Sequence, residues 1–109
     1  MSSTEQGHPQ AKILVCDDDQ NVRLLTRQCL EAEGMAVVEA CDGLEAIDLF
    51  VRERPDLVFL DVELPGTTGL EACKRIRQLP QGEAIPIMIV TGSDDRQSID
   101  LVLESGATQ

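Results

Sequence analysis

The sequence predicts an α/β fold, a doubly wound parallel sheet, on three observations. Apolar runs of strand length, such as Ile13-Leu14-Val15-Cys16, Leu57-Val58-Phe59-Leu60 and Ile87-Met88-Ile89-Val90, alternate with stretches whose apolar residues recur at helical spacing. The runs end abruptly, in Asp17-Asp18-Asp19, in Asp61 ahead of the Pro65-Gly66 loop, and in Thr91-Gly92-Ser93. The chain has 109 residues, which suits one domain around one core. Helices that carry the chain back across a sheet make successive strands parallel, with right-handed crossovers, so all carboxyl ends meet at one edge. Asp17, Asp18, Asp61 and Thr91 are therefore expected to converge at the rim where open α/β sheets place their ligand chemistry.

Each element has its own local reasons. Residues 1–10 lack periodicity and are rich in Ser, Thr, Gln, Gly and Pro, the composition of a terminal tail ahead of a domain over 11–109; the lone His8 falls in that tail. Strand one, Ile13 to Cys16, delivers the three acids. Gln20 to Glu33 follows with Asp19 as N-cap, Val22, Leu25, Cys29 and Ala32 as the expected buried face, and Gly34 as the stop. Met35 to Ala40 reads as strand two. Asp42-Gly43-Leu44-Glu45 has the form of a capping box, opening a helix with Ile47, Phe50 and Val51 inside that runs to about Arg54 before Pro55. The strand ending in Asp61 is third. Beyond the loop from Val62 to Gly69, a helix buries Leu70, Cys73 and Ile76 until Pro80 and Gly82 break it. Pro86 to Val90 is strand four, and Ser93 or Asp94 caps a last helix that reaches Ser105 before Gly106.

Composition excludes several classes of function. Acidic residues outnumber basic ones 20 to 9, for a net charge of -11, so a surface for nucleic-acid phosphates is not expected. No apolar run approaches the ~20 residues of a membrane span. The polar start has no basic flank or apolar segment of a secretory signal, so a cytoplasmic protein is expected. Cys16, Cys29, Cys41 and Cys73 are too widely spaced for a zinc ribbon or redox pair. With no Trp or Tyr and only two Phe, neither a base-stacking platform nor an aromatic cage can be built.

The convergent acids point to one chemistry. Three carboxylates close together repel, and without compensation at least one has its pKa raised. All-oxygen donors on a rigid rim suit Mg²⁺, whereas zinc would want His or Cys. A carboxylate beside such a metal, with a Thr hydroxyl nearby, can attack a phosphoryl group and carry it as an acyl phosphate, and Asp61 is the candidate nucleophile.

Ile13 to Asp19, then Phe59-Leu60-Asp61-Val62-Glu63-Leu64-Pro65-Gly66 with Gly69, then Ile87 to Gly92, and last Glu104-Ser105-Gly106-Ala107-Thr108 resemble the receiver domain of two-component response regulators, from about Lys12 onward. The resemblance implies a flavodoxin-like sheet of order 2-1-3-4-5, of which this chain would hold 2-1-3-4, with the fifth strand and fifth helix missing. It implies that Asp61 accepts a phosphoryl group from a histidine kinase or phosphotransfer protein. Asp18, Asp61 and the backbone carbonyl of Glu63 would bind Mg²⁺ directly, and Asp17 through a water. Thr91 would hydrogen-bond a phosphoryl oxygen, Glu63 and Ser93 would tune the lifetime of the phosphorylated state, and Pro65 and Gly69 would shape the loop. Such a protein is a switch rather than an enzyme, its output lying beyond Gln109.

One departure bears on this reading. The family lysine that pairs with the phosphoryl group has no counterpart, because Lys12 lies at the wrong end of strand one and Lys74 on the third helix. The family's aromatic switch position is also missing. The chain reads as a fragment or a natural truncation, and Gly106-Ala107-Thr108, running on as if to continue, favours the fragment. Strand four then becomes an edge and Leu101 and Leu103 lose cover, so a homodimer through that edge or the last helix is expected. Three rival readings stand beside the receiver. A receiver-shaped interaction module that is never phosphorylated fits the missing lysine. A Mg²⁺-dependent phosphatase would resemble Asp-x-Asp, with the second Asp as general acid, whereas here Asp61 is followed by Val62-Glu63. A flavin-binding protein would need a phosphate loop where three acids stand.

Overall fold

The computed structural model describes residues 10–90. Four strands, β1 (Lys12–Cys16), β2 (Ala36–Ala40), β3 (Leu57–Asp61) and β4 (Ile87–Val90), form one parallel sheet in the order β2-β1-β3-β4. Between them run α1 (Gln20–Ala32), α2 (Gly43–Glu53), α3 (Gly69–Arg77) and a 3-10 turn at Pro80–Gly82. The fold is the α/β parallel sheet that the sequence predicts, in the flavodoxin-like strand order that the family resemblance implies. Register positions the site: Cys16 lies opposite Leu60, so Asp17 and Asp61 are the next residues of two neighbouring strands.

The strand alternation sorts side chains between the faces. Leu14 and Cys16, Val58 and Leu60, Ile87 and Ile89 join Ala46 and Phe50 of α2 and Ala72, Cys73 and Ile76 of α3 in one buried cluster. On α2 the buried side is Gly43, Ala46 and Phe50, with Ile47 packed at the core margin. Val51, expected inside, is exposed, because the buried stripe is centred one residue away from it. The capping box forms with one shift: Asp42 Oδ1 accepts the Glu45 N–H (2.8 Å), while Glu45 Oε1 accepts the N–H of Cys41, the residue before the cap (2.8 Å). Leu70 of α3 is half-buried, and its neighbours Ala72 and Cys73 fill the core.

The larger correction concerns α1. It begins and ends as expected, with Asp19 as N-cap and Gly34 at a φ of 87° beyond the end. Yet no residue of α1 is buried, and Val22, Leu25, Cys29 and Ala32, the expected inner face, are exposed. The half-buried residues are Arg23, Thr26, Arg27 and Leu30, one position round the helix. Both arginines reach Glu39 on β2, at 3.1 and 2.6 Å, so the face of α1 turned toward the sheet carries an ion-pair cluster in place of the expected apolar stripe.

Candidate functional site

Asp17, Asp18 and Asp61 each offer a carboxylate oxygen, and these oxygens all lie within 4.8 Å of one another. Asp17 is pinned on three sides. Its N–H donates to the Ala40 carbonyl (3.1 Å), its Oδ1 accepts the Asp19 N–H (2.9 Å), and its carbonyl accepts Nη1 of Arg23 (2.6 Å). Asp19 turns away to cap α1, its Oδ1 accepting the N–H groups of Asn21 (2.9 Å) and Val22 (3.4 Å). Asp18, between two fixed residues, is exposed at the rim.

Asp61 closes β3, and its Oδ1 accepts the Glu63 N–H (3.1 Å). The following loop folds back, the Gly69 N–H donating to the Val62 carbonyl (3.2 Å). A Cβ on Gly69 would overlap the Asp61 carbonyl, and one on Gly43 would overlap the Thr67 carbonyl, so both helices meet this loop backbone to backbone. Behind the acids, a cavity of about 200 Å³ is lined by Val15, Phe59, Val22 and Thr26 together with Asp17 and Asp61.

Burial is the main cause that pushes the Asp61 carboxyl above its ordinary value; the Glu63 N–H works against it, and the charges of Asp17, Asp18 and Glu63 push it further up. Arg23, in the first turns of α1, commits its guanidinium to a carbonyl and to Glu39, and the three carboxylates have no ion pair among the described residues. An all-oxygen donor set of this kind fits Mg²⁺. Cys41, Asp42 and Glu45 form a second close group, but there both carboxylates already accept backbone N–H groups at the start of α2.

The profile of the response regulator receiver domain matches residues 13–109. The chain belongs to this family. The response regulator MprA of a Mycobacterium species is 42% identical over 96 residues, covering 88% of this chain and 41% of that protein. Sporulation initiation phosphotransferase F of Bacillus subtilis is 36% identical over 94 residues, 86% of this chain and 72% of its own. Among solved structures, the chemotaxis protein CheY4 of Vibrio cholerae superposes with a TM-score of 0.88 at 31% identity, over 92% of this chain and 83% of that one. The receiver thus spans 41% of the length of the MprA relatives.

Receiver domains bind Mg²⁺ at an acidic pocket and work with histidine kinases or phosphotransfer proteins, and in this receiver the acidic cluster is Asp17, Asp18 and Asp61. Thr91, Ser93 and the last helix with Leu101 and Leu103 lie outside the described residues. Lys12 pairs with Glu53 (3.1 Å), at the end of β1 remote from the acids, and Lys74 is exposed on α3. Among the described residues β4 pairs only with β3, and no helix is long and apolar enough to cross a membrane. Sequence reasoning left out Arg23 and Glu39. Their signal was present in a carboxylate within the otherwise apolar Val37-Val38-Glu39-Ala40, and in two arginines at i and i+4 on the preceding helix.

Proposed function

We propose that this receiver is a phospho-acceptor switch in which Asp61 takes a phosphoryl group from the phosphohistidine of a sensor kinase or phosphotransfer protein. The observation that supports it most is the acidic cluster, three carboxylates whose oxygens lie within 4.8 Å at the carboxyl ends of two paired strands. The Glu63 N–H holds Oδ1 of Asp61, so attack on phosphorus falls to the other oxygen. As the new O–P bond forms, the P–N bond of the donor breaks, and the leaving imidazole nitrogen keeps the electron pair and takes up a proton. Asp61 is left as an acyl phosphate, which water later hydrolyses. Asp18, Asp61 and the Glu63 carbonyl would hold Mg²⁺ directly, with Asp17 acting through a water. When bound, the ion supplies positive charge against the carboxylates and phosphoryl oxygens. Thr91 hydrogen-bonds a phosphoryl oxygen, while Glu63 and Ser93 set the lifetime. That one relative carries the name phosphotransferase supports phosphoryl transfer as the chemistry.

The same reading makes residues 11–109 a cytoplasmic signalling module rather than an enzyme, preceded by a tail, with its output on a further part of the protein. Association through the outer edge of β4, which pairs only with β3 among the described residues, or through the last helix belongs to this proposal, and light scattering at high micromolar concentration that shows only monomer would remove it. The alternative is an interaction module that is never phosphorylated, favoured by Lys12 and Lys74 both lying away from the acids. Intact mass after incubation with acetyl phosphate and Mg²⁺ separates the two. A single phosphoryl adduct, absent from Asp61→Asn, is expected; no adduct on the parent, even when extended past Gln109, leaves the interaction module.

A further inference from the structure

We propose that Arg23 and Glu39 are positioning residues for the acid pair: Arg23 ties the Asp17 carbonyl to β2, and Glu39 keeps the Arg23 guanidinium off the carboxylates. The proposal rests on the reading of Asp17, Asp18 and Asp61 as a Mg²⁺ site. The guanidinium of Arg23 forks, with Nη1 on the Asp17 carbonyl at 2.6 Å and Nε on Glu39 Oε1 at 3.1 Å. A guanidinium sets these two donors on different nitrogens of one rigid plane, whereas an ammonium would have to bring its single nitrogen within reach of both acceptors at once. Glu39 is itself anchored, since its second oxygen accepts Nη1 of Arg27 at 2.6 Å, and Arg27 in turn holds Glu31 at 3.0 Å. The Arg23 and Glu39 side chains are 16% and 27% exposed, so the pair is sheltered more than a surface bridge.

The β1–α1 turn carries two of the three carboxylates, and Asp17 is fixed to β2 twice, by its own N–H on Ala40 and through Arg23 on Glu39. Arg23 therefore fixes the Asp17 backbone while making no bond to the carboxylate oxygens themselves. Its charge is a hazard in the same place. A guanidinium released from Glu39 sits in the first turns of α1, beside three acids that have no ion pair among the described residues, and would pair with them in place of a metal. The two residues thus have different failure modes: loss of Arg23 loosens the turn, and loss of Glu39 frees a competitor.

Calorimetric titration with MgCl₂ at fixed ionic strength, alongside thermal unfolding in EDTA, tests this on the purified protein. Arg23→Gln is expected to weaken Mg²⁺ binding roughly tenfold, the scale of losing an outer partner of a metal site. Glu39→Gln should weaken it at least as much, and the double variant should match Arg23→Gln alone, because the competitor is gone. Arg23→Lys should fail to restore binding, and in EDTA the Asp19 amide of Arg23→Gln should exchange with solvent faster than in the parent. Variants that melt lower but bind Mg²⁺ as the parent does would reduce the pair to a structural bridge and overturn the proposal. Additive losses in the double variant would overturn the claim that Glu39 acts through Arg23. If the parent shows no Mg²⁺ binding beyond that of Asp61→Asn, the metal-site reading itself fails and takes the proposal with it.

Discussion

Asp17, Asp18 and Asp19 are chemically identical neighbours, yet each carboxylate meets a different environment. Asp19 caps a helix, Asp17 is held on three sides, and Asp18 is left at the rim with Asp61. Burial, with the charges of Asp17, Asp18 and Glu63 adding to it, raises the pKa of Asp61 in the folded state. The unfolded chain then releases this proton first as pH rises, so the metal-free protein loses stability between the ordinary carboxylate value and the raised one. Asp61→Asn should accordingly melt higher than the parent in EDTA at neutral pH, and the gain should vanish as the buffer approaches pH ~4, where the parent carboxyl regains its proton. Added Mg²⁺ should raise the melting temperature of the parent and not of the variant. The cysteines give a second test at this scale. Burial, then the charges of Asp42 and Asp17, push the Cys16 thiol up to about 12, and Cys73 is buried, whereas Cys29 and Cys41 are exposed. Alkylation of the native protein, read by peptide mass, should label Cys29 and Cys41 and spare Cys16 and Cys73; rapid labelling of Cys16 would contradict its burial.

At the scale of elements, the loop after Asp61 is gripped by the first residues of two helices. Gly43 opens α2 against the Thr67 backbone and Gly69 opens α3 against the carbonyl of Asp61. A methyl group at either position must move backbone, and urea unfolding should show Gly43→Ala and Gly69→Ala each destabilised by roughly 1–3 kcal/mol. Only Gly69→Ala displaces Asp61 itself, so the phosphoryl adduct should fall in that variant and persist in the other. The strands, the caps at Asp19 and Asp42, and the breaks at Gly34 and Pro55 were legible in the sequence because local patterning and turn chemistry decide them. The inner face of α1 was not. Val22, Leu25 and Cys29 have the right period, but the face turned toward the sheet is the one whose two arginines pair with a carboxylate on β2. A long-range ion pair leaves no trace in apolar spacing.

For the whole molecule, the sequence carried the prediction of a common rim, and the resemblance carried the strand order, which period and length do not specify. The convergence of the acids depends on that order. β1 sits between β2 and β3, so Asp17 and Asp61 become neighbours only when the chain passes over β2 and returns to the far side of β1. This has a consequence in folding time. The pairing of β1 with β3 joins segments separated by β2 and two helices, a non-local step whose loop-closure entropy weighs against its early formation. If that pairing matures after the rate-limiting barrier, carboxylate repulsion is absent from the transition state. Mg²⁺ should then slow unfolding and leave the refolding rate nearly unchanged, in stopped-flow traces with and without the ion. A refolding rate that rises with Mg²⁺ would mean instead that the acids gather before the sheet is complete.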